Sequence, residues 1–404
     1  MNIKSQKEKC VVIVGAGPAG LAMAKALSGM GFIINIIDPK NKQEIVSPSY
    51  DGREIALTHQ SQIFMEKLGI WQKIPEKFIS YIKKAKVLDD DITESILIGD
   101  LIDKGGEIGF LVSNYIIRKA SYEALIDSRR KNKDIEFSFS DEVIDVQNFD
   151  SFSEVKLRSG NTINAKLVIS SDSRFSKIRT LLGIPSDMFD FGRDMLVCSM
   201  KHSKTHDRTA WEWFTYGYTL ALLPMRKKFD DRQYESSVIV TMTKQEINNL
   251  LSLDEESFNQ NITQKFKRFF GDMVLTSPCY SYPLVSVYPK KFVADRYVLI
   301  GDAAVGMHPV TAHGYNFVLK GIKTLTGLID EASQTKEDIG SISLLKKYNR
   351  RHKAATKPLY LFTKLIIAIF TKEDSSAKKI RKIFIKLGQL TFIQKTFTKL
   401  LMKE

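Results

Sequence analysis

The run Lys9-Cys10-Val11-Val12-Ile13-Val14-Gly15-Ala16-Gly17-Pro18-Ala19-Gly20-Leu21 decides the fold. Apolar residues lead straight into Gly-x-Gly-x-x-Gly. A helix of small residues follows, and a second apolar run, Ile33-Ile34-Asn35-Ile36-Ile37, ends at Asp38. Strand, glycine turn, helix, strand and acid, in that order, make a βαβ unit of the kind that holds a dinucleotide. In such a unit Gly15 permits the tight turn, Gly17 lets the backbone approach a pyrophosphate, and Gly20 lets helix and strand pack closely. The phosphates are expected on the free N–H groups of the helix start, which opens with Pro18 and Ala19, the former contributing no N–H. Asp38 lies close to the distance, about 20 residues, of an acid that accepts from a ribose hydroxyl.

Two further apolar runs end in polar turns. Lys166-Leu167-Val168-Ile169-Ser170 opens into Ser171-Asp172-Ser173-Arg174-Phe175-Ser176-Lys177-Ile178-Arg179. Tyr297-Val298-Leu299-Ile300 opens into Gly301-Asp302-Ala303-Ala304. Ligands of open parallel sheets collect outside the carboxyl ends of the strands. Three such ends therefore predict one cofactor site built from distant pieces of chain, with Asp172, Gly301 and Asp302 in it. The cofactor domain is then discontinuous, over residues 1–77, 113–183 and 281–345.

Between these pieces the pattern changes. Residues 78–112 alternate apolar and polar side chains, as half-buried antiparallel strands do. Residues 184–280 are rich in aromatic and β-branched types and read as more of the same sheet. Together they form an expected substrate domain, with Trp213, Tyr216 and Leu222 as its pocket residues. A purely structural core is an equal reading of those aromatics. After Asp302, Pro309 and Gly314 interrupt regular structure. A helix starting near Tyr315 and Asn316 offers N–H donors to an anionic group. His202 and His206 stand four apart but lack a third ligand, so no metal is expected.

Composition narrows the class. The 404 residues are 43% hydrophobic and 26% charged, which excludes wholesale disorder. The three scattered cysteines suit a reducing cytosol, and no apolar run reaches the length of a bilayer span. The net charge is +14. Fourteen Lys and Arg against three acids from Arg350 onward put +11 of it in the tail. Residues 346–404 are therefore read as a basic amphipathic helical tail. It either lies on an anionic membrane surface or packs on the protein's own body. Nucleic acid is not expected, because no nucleic-acid fold signal accompanies the charge.

Three motifs stand together: Gly15-x-Gly17-x-x-Gly20 with Asp38, Asp172-x-x-x-Ser176-x-x-Arg179, and Gly301-Asp302 through His308-Pro309 and Gly314-x-Asn316. Over about residues 8–350 the chain resembles the single-component flavoprotein monooxygenases of the aromatic hydroxylase fold. Within them it looks most like the hydroxylases of ubiquinone biosynthesis. The resemblance implies a Rossmann-like α/β FAD-binding domain with an inserted antiparallel substrate sheet, as in p-hydroxybenzoate hydroxylase. It implies FAD as cofactor, NAD(P)H as electron donor, O2, and a C4a-hydroperoxyflavin that hydroxylates a polyprenylated phenol or quinol. A ubiquinone-biosynthesis complex and a cytoplasmic location at the inner membrane go with that class.

On the same resemblance Asp51-Gly52-Arg53-Glu54 and Tyr115-Ile116-Ile117-Arg118 supply Arg53 and Arg118 as FAD contacts. His308 and Pro309 would lie near the flavin ring, His308 in acid–base work or as a shaper of its loop. Two departures stand out: Ser173 where the family usually has Gly after the motif Asp, and Ala312-His313-Gly314 for Gly-Gln-Gly. The alternatives are an isoprenoid double-bond reductase, a halogenase, or a non-catalytic FAD-binding assembly subunit. Trp211-Glu212-Trp213 lacks the Ile-Pro of the halogenase motif.

Overall fold

The computed structural model describes residues 9–89, 91–98, 106–131, 134–215, 217–226, 233–311 and 313–370. A six-stranded sheet carries the glycine turn. Its order is Val293–Ala294, Tyr297–Leu299, Leu167–Ser170, Cys10–Val14, Ile33–Asp38, Ile135–Phe139. All neighbours are parallel except the short hairpin strand Val293–Ala294. Cys10–Val14 and Leu167–Ser170 are buried at every position, which is why they read as unbroken apolar runs. Val14 pairs with Ser170, and Ser170 with Leu299. The three strand ends therefore finish level with one another.

Helices Pro18–Leu27, Asn114–Lys131 and Gly314–Thr335 share one apolar core with these strands. So does a small antiparallel sheet of Val143–Asn148, Ser153–Leu157 and Thr162–Ala165. Small side chains in the first helix allow the close packing: Gly20, Ala22 and Ala24 are all buried.

The second large sheet has eight strands. Along its path they run Met273–Leu275, Ser186–His202, Tyr234–Met242, Thr219–Pro224, Thr209–Phe214, Lys84–Asp89, Asp91–Ile98, and Tyr280–Pro289 also pairs with Ser186–His202. It differs from the sequence expectation in three ways. Thr209–Phe214 pairs with Lys84–Asp89 in parallel, so the sheet is not antiparallel throughout. Ser80–Ile82 and Gly109–Ser113 leave it for a separate three-stranded antiparallel sheet, in which Gly109–Ser113 lies between Ser80–Ile82 and Glu54–Leu57. Helices Lys244–Leu251 and Glu255–Lys265 cover one of its faces, contributing Ile247, Leu250, Phe258 and Ile262 to its core. A capping box, Thr243 with Glu246, starts the first of these helices, and Asp254 caps the second.

The basic C-terminal segment begins as a long helix, Ile342–Phe370, that packs on Gly314–Thr335 and on the hairpin strand Val293–Ala294. Tyr348, His352, Thr356 and Tyr360 are buried. The Tyr348 hydroxyl donates to the Leu299 carbonyl at 3.2 Å. No helix of the described residues is long and apolar enough to cross a membrane. The amphipathic pattern over Lys378 to Lys403 lies outside the described residues.

Candidate active site

The glycine turn is shaped by close approach at two positions and open space at a third. Gly15 has φ +102°, and a Cβ there would stand 2.9 Å from the Ser171 carbonyl oxygen. A Cβ on Gly20 would stand 1.8 Å from the Gly15 oxygen. A Cβ on Gly17 would meet nothing within 4 Å, so this glycine faces free space at the helix start. No side chain caps that helix, which leaves N–H groups of its first turn directed at an incoming anion. Asp38 fixes the turn from below: its Oδ2 accepts from the Ala16 N–H at 2.6 Å and its Oδ1 from the Lys40 N–H at 2.9 Å.

The middle motif clamps the other two strand ends together. Ser176 caps the short helix Lys177–Leu181 by accepting from the Arg179 N–H at 3.1 Å. Arg179, 3% exposed, donates to the carbonyls of Ala303 at 3.2 Å and Arg174 at 2.9 Å. Arg174 donates to Asp302 at 3.0 Å and to the Val285 carbonyl at 3.0 Å. Ser170 Oγ donates to Asp172. Ser173 holds φ +132°, so the backbone keeps a glycine conformation at the position where glycine is replaced.

One cavity of about 1310 Å³ runs from this turn to the large sheet. Gly15, Gly17, Pro18, Ala19, Asp38, Asp172, Asp302, His308, Pro309, Gly314 and Tyr315 line it, and so do Arg53 and Arg118. Asp51, 2.6 Å from Arg53, raises the affinity of that guanidinium for its proton against the opposing effect of burial. Burial lowers that of Arg118, and Asp38 and Asp51 partly restore it. Arg118 Nε is buried without a hydrogen-bond partner among the described residues.

Several expected residues sit elsewhere. Gly20 and Gly301 act behind the cavity wall, Gly301 with φ +63° beside Ala19. The Asn316 side chain is not on the wall: its Oδ1 accepts from the Thr58 N–H at 3.0 Å and the Ser61 hydroxyl at 2.6 Å, and its Nδ2 donates to the Ala56 carbonyl at 2.9 Å. Trp213 and Leu222 are corrected as pocket residues. Both are buried on the helix-covered face of the sheet, against the core that holds Phe266. Side chains alternate along a strand, so Glu212, Phe214 and Ala221 face the cavity instead. Tyr216 lies outside the described residues. Sequence reasoning missed Glu212, Tyr282, and the helix residues Leu359, Phe362 and Ile366, all on the wall. Alternation about the Trp-Glu-Trp triplet was the signal available for Glu212.

His308 is 8% exposed, and its Nδ1 accepts from the Val310 N–H at 3.3 Å. Burial, helped by the Arg174 charge, pushes it down to about 3. It is neutral through the physiological range, which fits a residue that shapes the loop against Phe191 rather than one that cycles through a cation.

The residues present fit an extended dinucleotide. Gly17 leaves an open cradle, the helix start is uncapped, and Arg118 keeps a buried donor unpaired beside it. The cavity also exceeds the range of about 300–1,000 Å³ that holds a single drug-sized ligand. The model of the FAD binding domain family matches residues 8–360. The ubiquinone hydroxylase UbiM of Neisseria meningitidis is 40% identical over 94% of this chain and 81% of its own length. The ubiquinone hydroxylase UbiL of Rhodospirillum rubrum is 26% identical over 93% and 85%. The 3-demethoxyubiquinol 3-hydroxylase of Escherichia coli is 24% identical over 85% of each chain. Among solved structures, p-nitrophenol 4-monooxygenase PnpA of Pseudomonas putida superposes with a TM-score of 0.73, covering 96% of both chains at 16% identity, a likeness of fold.

Proposed function

The chain belongs to the FAD binding domain family, alongside the ubiquinone hydroxylases, and from that membership we propose how its site works. The protein is an FAD-dependent monooxygenase that hydroxylates the ring of a ubiquinone precursor. The observation that carries the site assignment is the continuity of one cavity from the glycine turn to the apolar face of the large sheet.

Gly15, Gly17, Pro18 and Ala19 hold the FAD pyrophosphate, Asp38 takes the adenosine ribose, and Arg53, Arg118, Asp172 and Asp302 line the extended cofactor. Gly314 and Tyr315 present the second helix start to the flavin end, beside His308 and Pro309. Bound there and reduced, FAD would supply the O2 activation that delivers one oxygen atom to an electron-rich ring. The chain's own part is to bind, orient and keep water from the ring, which suits the wall of Phe214, Ala221, Leu359 and Phe362. NAD(P)H is the proposed electron donor.

A polyprenylated substrate resides in a bilayer, and one surface suits docking there. Met188, Phe189, Leu361 and Leu365 are each about half exposed. Lys364 Nζ lies 5.0 Å over the Phe189 ring, and its helix also brings Phe362 and Ile366 to the cavity. A basic, apolar surface of this kind binds anionic lipid. Deleting the gene in its host and weighing the quinone precursor that accumulates tests the function. The expected precursor lacks one ring hydroxyl, and an unchanged quinone pool would contradict it.

A further inference from the structure

The floor of the substrate end of the cavity is one cross-strand row of the large sheet. Val87, Glu212, Ala221, Ile239 and Val197 stand side by side in register on five strands, and all five line the cavity. Four are apolar and the fifth is a carboxylic acid. The next row on Thr209–Phe214 presents Phe214 to the same space. The Glu212 carboxyl has no hydrogen bond or ion pair among the described residues. Three titratable groups of the wall are engaged elsewhere: Lys86 Nζ sits 4.8 Å over the Trp211 ring, Arg53 on Asp51, and His308 Nδ1 on the Val310 N–H.

Glu212 is half-buried and opens on the cavity, so a ligand that displaces water from this chamber leaves the acid without a partner unless it brings a donor. A buried polar group without a partner loses about 1–3 kcal/mol, more when charged. Burial alone accounts for the carboxyl being pushed up to about 8. No described residue uses this carboxyl: a leucine or methionine there would complete the apolar row. A polar group kept at such a cost calls for a partner that arrives with the ligand.

We propose that Glu212 is the anchor for the ring hydroxyl of the substrate, its carboxyl oxygen accepting the hydrogen bond from the phenolic O–H. The proposal rests on the reading of the cavity as the site of a phenol or quinol. One polar point in an otherwise apolar floor fixes the in-plane rotation of an aromatic ring. It thereby selects which ring carbon is presented to the flavin end. The prenyl chain, lacking polar atoms, is left to the apolar wall of Leu359, Phe362 and Ile366.

The test is calorimetric titration of the FAD-loaded enzyme with 2-prenylphenol and with its methyl ether, at about pH 9, where Glu212 is ionised and can only accept. The wild type is expected to bind the phenol at least about tenfold more tightly than the ether, the usual worth of a hydrogen bond to a charged group. Glu212→Leu is expected to bring that ratio to within about twofold, and Glu212→Gln, whose amide oxygen still accepts, to retain part of it. A ratio near one in the wild type, or an undiminished ratio in Glu212→Leu, overturns the assignment. The ratio compares two ligands on one protein, so a loss of folded material cannot mimic it. It is also independent of turnover. Intact discrimination without hydroxylation would remove the proposed reaction and leave Glu212 in place. Hydroxylation with a ratio insensitive to Glu212→Leu would do the reverse.

Discussion

Arg174 donates to Asp302 at 3.0 Å across 128 positions of sequence, and so ties the turn after the second buried strand to the turn after the last. The pair is only partly buried, at 27% and 44% side-chain exposure. An ion pair so exposed contributes about 0–1 kcal/mol to stability. Its larger effect is local, since it neutralises an aspartate that lies against the proposed cofactor.

Replacing Arg174 with alanine leaves Asp302 uncompensated beside an anionic ligand. FAD affinity is expected to fall about three- to tenfold, while chemical-denaturation stability changes by less than about 1 kcal/mol. Fluorescence titration of the apoprotein with FAD measures the first quantity. Unchanged affinity would remove the Arg174–Asp302 link from the cofactor site.

Ser173 offers a gain in stability. Its φ of +132° is a region that costs a non-glycine residue about 1–3 kcal/mol. The Ser173 hydroxyl accepts one exposed N–H, from Phe175 at 3.2 Å. Ser173→Gly relieves the strain against a smaller loss of chain entropy, so the variant is expected to be about 1 kcal/mol more stable by urea unfolding. A loss of stability would show that the hydroxyl outweighs the backbone term.

Acid sensitivity follows from the buried histidines. Burial pushes His206 down to about 4, with help from His202, and His352 to about 4, with help from Lys320. Both folded values lie below the unperturbed 6.5, so the unfolded chain takes up protons that the folded chain refuses. Stability is therefore complete above about 6.5 and falls as pH drops towards about 4. The slope per group approaches about 1.4 kcal/mol per pH unit. His352→Gln is expected to flatten the melting-temperature profile in that window, whatever its effect at neutral pH. An unaltered slope would contradict the assignment of His352.

The proposed lipid surface is tested by charge. Leu361→Glu with Leu365→Glu places two acids on an exposed helix face. Each leucine would bury only its exposed half in lipid, about 1 kcal/mol apiece, and two acids add repulsion from the anionic surface, so co-sedimentation with anionic phospholipid vesicles is expected to weaken at least about tenfold. Binding equal to that of the wild type would locate docking elsewhere.

The parallel sheet was legible because strands such as Leu167–Ser170 are buried on both faces and bounded by turn residues. The glycine turn declared its own geometry through Gly15 and Gly20, where a side chain has no room. The substrate face was harder to read. Thr209–Phe214 has apolar surroundings on both sides, helices on one and the cavity on the other. Alternation therefore shows two faces without saying which meets the ligand, and Trp213 lies on the helix-covered one. The departure of Gly109–Ser113 to a separate small sheet was set by pairing with Glu54–Leu57, far away in sequence, which no local pattern reports. The wall from Ile342–Phe370 was hidden for a similar reason: a helix apolar at Leu361, Phe362, Leu365 and Ile366 does not reveal which of these looks inward.

Ring hydroxylation with oxygen from O2 is tested most directly in a single turnover. The enzyme-bound FAD is photoreduced without oxygen, then mixed with ¹⁸O2 and a short-chain prenylated phenol, and the product is weighed. The expected product carries one ¹⁸O atom on the ring, which needs no assumption about the natural electron donor. Reoxidation of the flavin with the phenol recovered unchanged, or a hydroxylated product free of ¹⁸O, would contradict the monooxygenase assignment.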